Sequence, residues 1–89
     1  MSAQDRARFR AAVDVLRKAH LSRTEIGNAL DVSPSMVGMM ASESPSERRK
    51  PRWGWEGHLA ALARDRAALL RRIADDADQL AERLEAGNR

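Results

Sequence analysis

The chain contains no cysteine and no tyrosine, and its 89 residues include one phenylalanine and two tryptophans. The lack of cysteine excludes disulfides, thiolate metal ligands and a cysteine nucleophile. With two isolated histidines and no glycine-rich phosphate loop, the chain offers nothing from which to assemble an acid–base or nucleophilic site. The composition therefore predicts that the protein is not an enzyme and binds no metal, cofactor or small-molecule substrate.

Long apolar runs are also missing. No segment approaches the roughly 20 apolar residues of a membrane-spanning helix, and the N-terminus lacks the apolar core of a signal peptide. We therefore expect a soluble, cytoplasmic protein with no membrane partner. The length leaves room for one small domain, and its aromatic-poor core favours stabilisation by oligomerisation.

The net charge of +3 is unevenly distributed along the chain. Residues 1–58 carry ten basic and seven acidic side chains, whereas residues 59–89 carry six of each. The positive excess therefore lies in the N-terminal part, which favours a polyanionic partner there.

The segment from Leu21 to Glu43 predicts two short helices joined by a tight turn. Ser22 and Glu25 have the spacing of a capping box, in which each side chain satisfies a free backbone donor. Ser33 is a predicted N-cap, and Pro34 follows at the first helical position, where its missing amide costs nothing. Both helices thus have a marked start in the sequence.

The connection between these helices is expected to be very short. Asp31 can adopt the left-handed conformation that such a turn needs. Gly27 costs a mid-helix position about 1 kcal/mol relative to alanine. Its presence predicts that the second helix crosses directly over it.

This stretch resembles the helix-turn-helix of Cro and lambda-repressor-like regulators, and it aligns without a gap over about 23 residues. Gly27 matches the family's small position, whereas Asp31 replaces its usual turn glycine. The family's apolar positions are held by Ile26, Leu30, Val32, Val37 and Met40. The resemblance implies an all-α, lambda-repressor-like helix-turn-helix domain over residues 1–57. It also implies a small regulator of phage or mobile-element type, similar to those that control anti-CRISPR operons.

The resemblance places the second motif helix in the major groove of double-stranded DNA. Arg23 is then a candidate phosphate contact, and Gly38 allows close approach to the DNA. Met36 and Met40 are expected to fill the core. The candidate base contacts are Ser33, Ser35, Met39 and Ser42. These side chains make no bidentate contacts with base edges, so part of the specificity must come from elsewhere.

A basic loop over residues 44–53 follows the helix pair. In the context of a helix-turn-helix it is expected to bind phosphates or the minor groove. The alternative is a solvated loop without a partner. Its charged candidates for DNA binding are Arg48, Arg49, Lys50 and Arg52. At least one of Trp53 and Trp55 is expected to anchor the next helix in the core.

Residues 58–89 are expected to form a dimerisation region. Most of this region belongs to one long helix, which is expected from about Trp55 to Ala86 and is capped at its C-terminus by Gly87 and Asn88. A first helix is likewise expected from about Ser2 to Ala19. The first half of the long helix is basic and the second half acidic, so an antiparallel pair of copies is favoured over a parallel one. The predicted dimerisation stripe is Leu69, Ile73, Ala77, Leu80 and Leu84.

Together these patterns predict a homodimeric transcriptional regulator, acting as a repressor. It would bind an inverted repeat whose half-sites lie about one helical turn apart. The alternative is an antitoxin-like or adaptor module that binds another protein through the acidic face of residues 75–85. The operator, the sign of regulation and any effector stay open.

Overall fold

The computed structural model describes residues 3–42, 51 and 53–87, which contain four α-helices and no strand. This confirms the all-α class. The long helix includes Gly87, which the sequence analysis had assigned to its cap. No helix in the described part of the chain has both the length and the apolar character to cross a membrane. The helices are α1 Ala3–Lys18, α2 Arg23–Leu30, α3 Pro34–Met40 and α4 Trp55–Gly87.

The core gathers one apolar face from each helix. Phe9, Ile26 and Val37 are fully buried, one each from α1, α2 and α3. Trp55 joins them from the start of α4, with its ring edge-on to that of Phe9 at a centroid distance of 5.1 Å. Trp53 is fully exposed. The expectation that one of the two tryptophans anchors α4 is therefore confirmed, for Trp55.

Helices α1 and α2 end in the same way, through a residue with positive φ. His20 has φ 67° and Asp31 has φ 59°. After each of them an amide donates back to a carbonyl five residues earlier, from Leu21 to Leu16 at 3.1 Å and from Val32 to Gly27 at 2.8 Å. The left-handed conformation predicted for Asp31 is confirmed, and His20 has the corresponding structural role in α1.

The start of α3 and the turn before it explain Gly27. A Cβ on Gly27 would lie 2.5 Å from the carbonyl oxygen of Val32 and 3.4 Å from the carbonyl carbon of Ser33. The closest neighbour is thus the backbone of the turn, followed by Ser33, the N-cap of α3. The second helix therefore passes over Gly27 at its N-terminal end, and the expected need for a small residue there is confirmed.

The predicted helix caps are present. The Ser22 amide donates to Glu25 Oε2 at 2.8 Å, and the Glu25 amide donates to Ser22 Oγ at 3.1 Å. At the start of α3 the Met36 amide donates to Ser33 Oγ at 3.2 Å. These bonds satisfy backbone donors that a helix start leaves without partners.

Helix α4 extends well past the packed domain. Trp55 and Leu59 are buried and Leu62 is partly buried, but every residue from 68 to 87 is exposed. The molecule measures 63 × 22 × 21 Å, and a 33-residue helix accounts for about 50 Å of that length. The distal half of α4 therefore has no neighbour within the described part of its own chain.

Candidate functional site

Helix α3 has one buried face and one face open to solvent. Val37 and Met40 are buried, and Met36 is partly buried against them. The expectation that both methionines belong to the core is confirmed. The open face carries the small side chains of Pro34 and Ser35, Gly38, which has no side chain, and the longer, partly buried Met39. A partner that approaches α3 therefore meets little side-chain bulk from the first turn of α3 and from Gly38.

The three candidate serines differ in how much hydrogen-bonding capacity they have left. Ser33 Oγ accepts from the Met36 amide, and Ser42 Oγ donates to the Met39 carbonyl at 2.8 Å. Ser33 can still donate its hydroxyl proton, and Ser42 can still accept. Ser35 is exposed in the first turn of α3, and its hydroxyl makes no hydrogen bond within the described part of the chain. Ser35 is therefore the serine best placed to bond a ligand.

Arg23 lies over the open face of α3. Its Nη1 is 3.1 Å, and its Cζ 3.3 Å, from the position that a Cβ on Gly38 would occupy. The sequence predicts separate roles for these two residues, a phosphate contact for Arg23 and a point of close approach for Gly38. Their proximity was missed, because no spacing rule links the first residue of α2 to the middle of α3. The structure thus adds a guanidinium to a helix face that has no charge of its own.

Other predicted contacts lie outside the described residues. This applies to Arg48, Arg49, Lys50 and Arg52, whose assignment to DNA stays a prediction from the sequence. The structure describes the chain continuously from Trp53 to Gly87. Gly54, with φ 84°, directly precedes the start of α4 at Trp55. The exposed Trp53 therefore lies beside a strongly basic stretch of sequence.

The predicted dimerisation stripe forms one exposed face of α4. Leu69, Ile73, Leu80 and Leu84 are 41%, 53%, 53% and 61% exposed, and Ala77 is also exposed. Their spacing of three or four residues places them on one side of the helix. That side continues the face that Leu59 buries in the core, and Leu70 belongs to it as well. An apolar face of this length, left open to water, is typical of a surface that binds another protein.

A shallow apolar groove lies between α1 and the first half of α4. Arg8 closes one end, with Nη1 3.5 Å from Asp5 and Nη2 3.9 Å from Glu56. Its guanidinium also lies 5.8 Å from the centre of the Trp55 ring. These contacts assign Arg8 to the α1–α4 interface. Apart from Arg8 and Glu56, the lining is apolar, from residues such as Ala12, Val15, Leu59, Ala60 and Ala63.

Comparisons of the chain with models of protein families, with characterised proteins and with solved structures found no match. Among the described residues, no three His, Asp or Glu side chains are grouped so that they could hold a metal ion. The case for a function therefore depends on the open face of α3 and the exposed face of α4.

Proposed function

We propose that this protein is a sequence-specific double-stranded DNA-binding regulator, in which α2 and α3 form a lambda-repressor-like helix-turn-helix. The observation that carries this proposal is the geometry of α3. One face is buried against α2 and α1, while the other is open, carries mostly small side chains beside Met39, and has the Arg23 guanidinium next to Gly38. A helix of this kind can enter the major groove and bring its backbone close to the base edges.

The charge distribution supports a polyanionic partner for the same part of the chain. Arg23 lies on the open face of α3. Four of the five residues from 48 to 52 are basic, and they follow α3 within a dozen positions. Cationic side chains that precede and follow a recognition helix in the sequence favour binding to a polyanion such as DNA.

A second copy of the chain is the proposed partner of α4. Pairing the stripe that includes Ile73 and Leu80 with its equivalent would cover both apolar faces at once. The resulting two-fold axis would present two α3 helices to an inverted repeat. In this proposal the dimer acts in the cytoplasm as a repressor, by occupying its operator, and performs no catalysis.

Selection from a pool of random duplex DNA, with the purified chain at physiological salt, tests this proposal. We expect enrichment of a two-fold symmetric site. The triple variant Arg48→Ala/Arg49→Ala/Lys50→Ala should bind the selected site more weakly. The slope of log affinity against log salt should become shallower by up to about 3 units, because each lost phosphate contact removes about 0.9.

A matched control removes the same charge elsewhere. The triple variant Arg64→Ala/Arg71→Ala/Arg72→Ala changes three exposed arginines of α4 and should leave the salt slope close to that of the unmodified protein. Equal losses from both variants would show that only net charge matters. If the unmodified protein enriches no sequence, the regulator proposal is wrong.

The second candidate function is a protein-interaction module, and the exposed distal half of α4 favours it. The stretch from Asp75 to Glu85 combines an apolar face with five acidic side chains and one arginine. Such a helix suits a partner with a basic-rimmed apolar groove. A module of this kind would keep its protein partner in the Arg48/Arg49/Lys50 triple variant, whereas the regulator would lose its DNA affinity.

A further inference from the structure

The guanidinium of Arg23 lies against Gly38, next to the position that a Cβ of residue 38 would take. Nη1 and Cζ lie 3.1 and 3.3 Å from the Cβ position of Gly38, and Nε lies 3.8 Å from it. From this contact we propose that Arg23, seated on Gly38, recognises a guanine in the major groove. The inference rests on the proposed DNA-binding function and assigns Arg23 to base recognition, whereas the sequence analysis assigned it to a phosphate.

The position of Gly38 on α3 decides which part of DNA the guanidinium meets. Ser35 and Gly38 are three residues apart, and Pro34 and Gly38 are four apart, so all three share the open face. When the open face of α3 points toward the base edges in the major groove, the Arg23 guanidinium also points toward the base edges. A phosphate contact would instead require the side chain to leave α3 and extend sideways to the DNA backbone.

The chemistry of Arg23 supplies what the open face of α3 lacks. Ser35 discriminates weakly between bases, and Met39 can contact only a thymine methyl. A guanidinium carries parallel N–H donors whose spacing matches O6 and N7 of guanine. Within the described chain no hydrogen bond or ion pair engages the Arg23 side chain, and Glu25 is bonded instead to Ser22 and Arg66. The donors of Arg23 are therefore available.

Gly38 allows this seat because it has no Cβ. An alanine there would lie closer to Nη1 and Cζ than ordinary van der Waals contact, and its neighbour is the flexible end of a side chain. The guanidinium would have to move by a few tenths of an ångström, while the backbone need not. Gly38→Ala should slightly raise the folding stability, because alanine has the higher helix propensity. The same substitution should weaken base recognition by Arg23, so it distinguishes an effect on folding from an effect on recognition.

The experiment compares four proteins on DNA sites that differ by single base pairs. Unmodified protein, Arg23→Ala, Gly38→Ala and the control Gly57→Ala are titrated by fluorescence anisotropy against the selected site and its single-pair variants. Gly57 is also a helical glycine, but among the described residues no atom outside the adjoining backbone of its own helix lies within 4 Å of a Cβ placed there. We expect one guanine per half-site whose replacement weakens the unmodified protein by about 5- to 150-fold, the range of one bidentate contact.

The pattern across variants decides the inference. Arg23→Ala should bind the original site and the guanine variant equally, so that discrimination disappears at that one position. Gly38→Ala should reduce the same discrimination, while Gly57→Ala keeps it. If Arg23→Ala instead lost affinity equally on all sites, and the slope of log affinity against log salt became shallower by about 0.9, as expected for one phosphate contact, Arg23 would be a phosphate ligand. That result overturns the inference but leaves the regulator in place.

Two further outcomes also overturn it. If Gly38→Ala discriminates as well as Gly57→Ala does, Arg23 does not act from its seat on α3. If the unmodified protein selects no site at all, the inference falls together with the proposed function. Thermal unfolding of each variant, monitored by circular dichroism, shows whether a change in binding reflects a change in folding.

Discussion

Arg66 Nη2 lies 3.3 Å from Glu25 Oε1 and so joins α4 to the first turn of α2. The other carboxylate oxygen of Glu25 accepts the Ser22 amide of the capping box. The Arg66 side chain is only 19% exposed. In the sequence, Arg66 is a charged residue within the apolar spacing of α4. The structure shows that it pairs with Glu25 at the edge of the domain, just before α4 leaves it.

Glu25→Ala should therefore cost more stability than Arg66→Ala. Glu25 stabilises both the capping box and the ion pair, and loss of a cap costs about 1 kcal/mol. The ion pair itself should contribute less than about 1 kcal/mol, because the Glu25 carboxylate is half-exposed and screened by water. Urea unfolding of both single variants and the double variant measures the coupling. A coupling energy of zero would mean that the pair contributes nothing.

Gly27→Ala should destabilise the protein, although alanine is the better helix former. The new Cβ would lie 2.5 Å from the Val32 carbonyl oxygen, so the turn itself must move. Forced overpacking of this kind costs about 1–3 kcal/mol. Thermal unfolding should show a lower midpoint for Gly27→Ala than for the unmodified chain. Gly57→Ala should not lower it, because no other described side chain or neighbouring helix lies within 4 Å of the added methyl.

His20→Gly should stabilise the protein, because glycine adopts φ 67° without strain. The gain should be about 1 kcal/mol, which corresponds to a rise of roughly 4–8 °C in Tm for a domain of this size. His58→Gly is the matched control. His58 is exposed within α4, where glycine should instead cost nearly 1 kcal/mol. A fall in Tm for both variants would contradict the capping role of His20.

Ile73→Glu/Leu80→Glu should convert the proposed dimer to a monomer. Both side chains are 53% exposed on the apolar face of α4, and charges on a paired face would have to be desolvated. Static light scattering at tens of micromolar gives the mass. The control Gln79→Glu/Ala86→Glu adds the same charge to the opposite side of α4 and should stay dimeric. A monomeric unmodified protein would rule out the dimer itself.

The point at which two α4 helices cross sets the spacing of the half-sites in the proposed dimer. If Leu69 packs on the partner's Leu84 and Ile73 on the partner's Leu80, the two-fold axis passes close to Ala77. Arg66, which contacts the first turn of α2, then lies about 16 Å from that axis along the helix, and Trp55 lies about 32 Å from it. The two domains are therefore separated by roughly 30 to 65 Å, a range that includes the single turn of about 34 Å that the family resemblance implies.

The symmetric site obtained by selection measures this spacing directly. Half-site centres a whole number of turns apart, at about 10 or 20–21 base pairs, would be compatible with the antiparallel arrangement, since whole turns keep both α3 helices on one side of the duplex. Centres more than about two turns apart would contradict it, because the two domains could not reach them at the same time.

Much of the fold could be predicted because the signals are local. Capping boxes, N-caps and apolar periodicity involve residues three or four positions apart, whose contacts are set by the helix itself. This accounts for the starts of α2 and α3, the burial of Ile26 and Val37, and the exposed stripe on α4. The left-handed conformation of Asp31 was likewise predictable, because the short turn requires it.

Only the tertiary structure decided which distant residues meet. Arg23 and Gly38 are fifteen positions apart, and Glu25 and Arg66 are 41 apart. Their contacts depend on how several helices pack together, and no sequence period encodes that. The same holds for the point at which α4 leaves the core, because its apolar face continues unchanged past Arg66. The sequence alone determined the helices, their caps and their apolar faces, while packing decided which faces were buried and where a guanidinium was placed on α3.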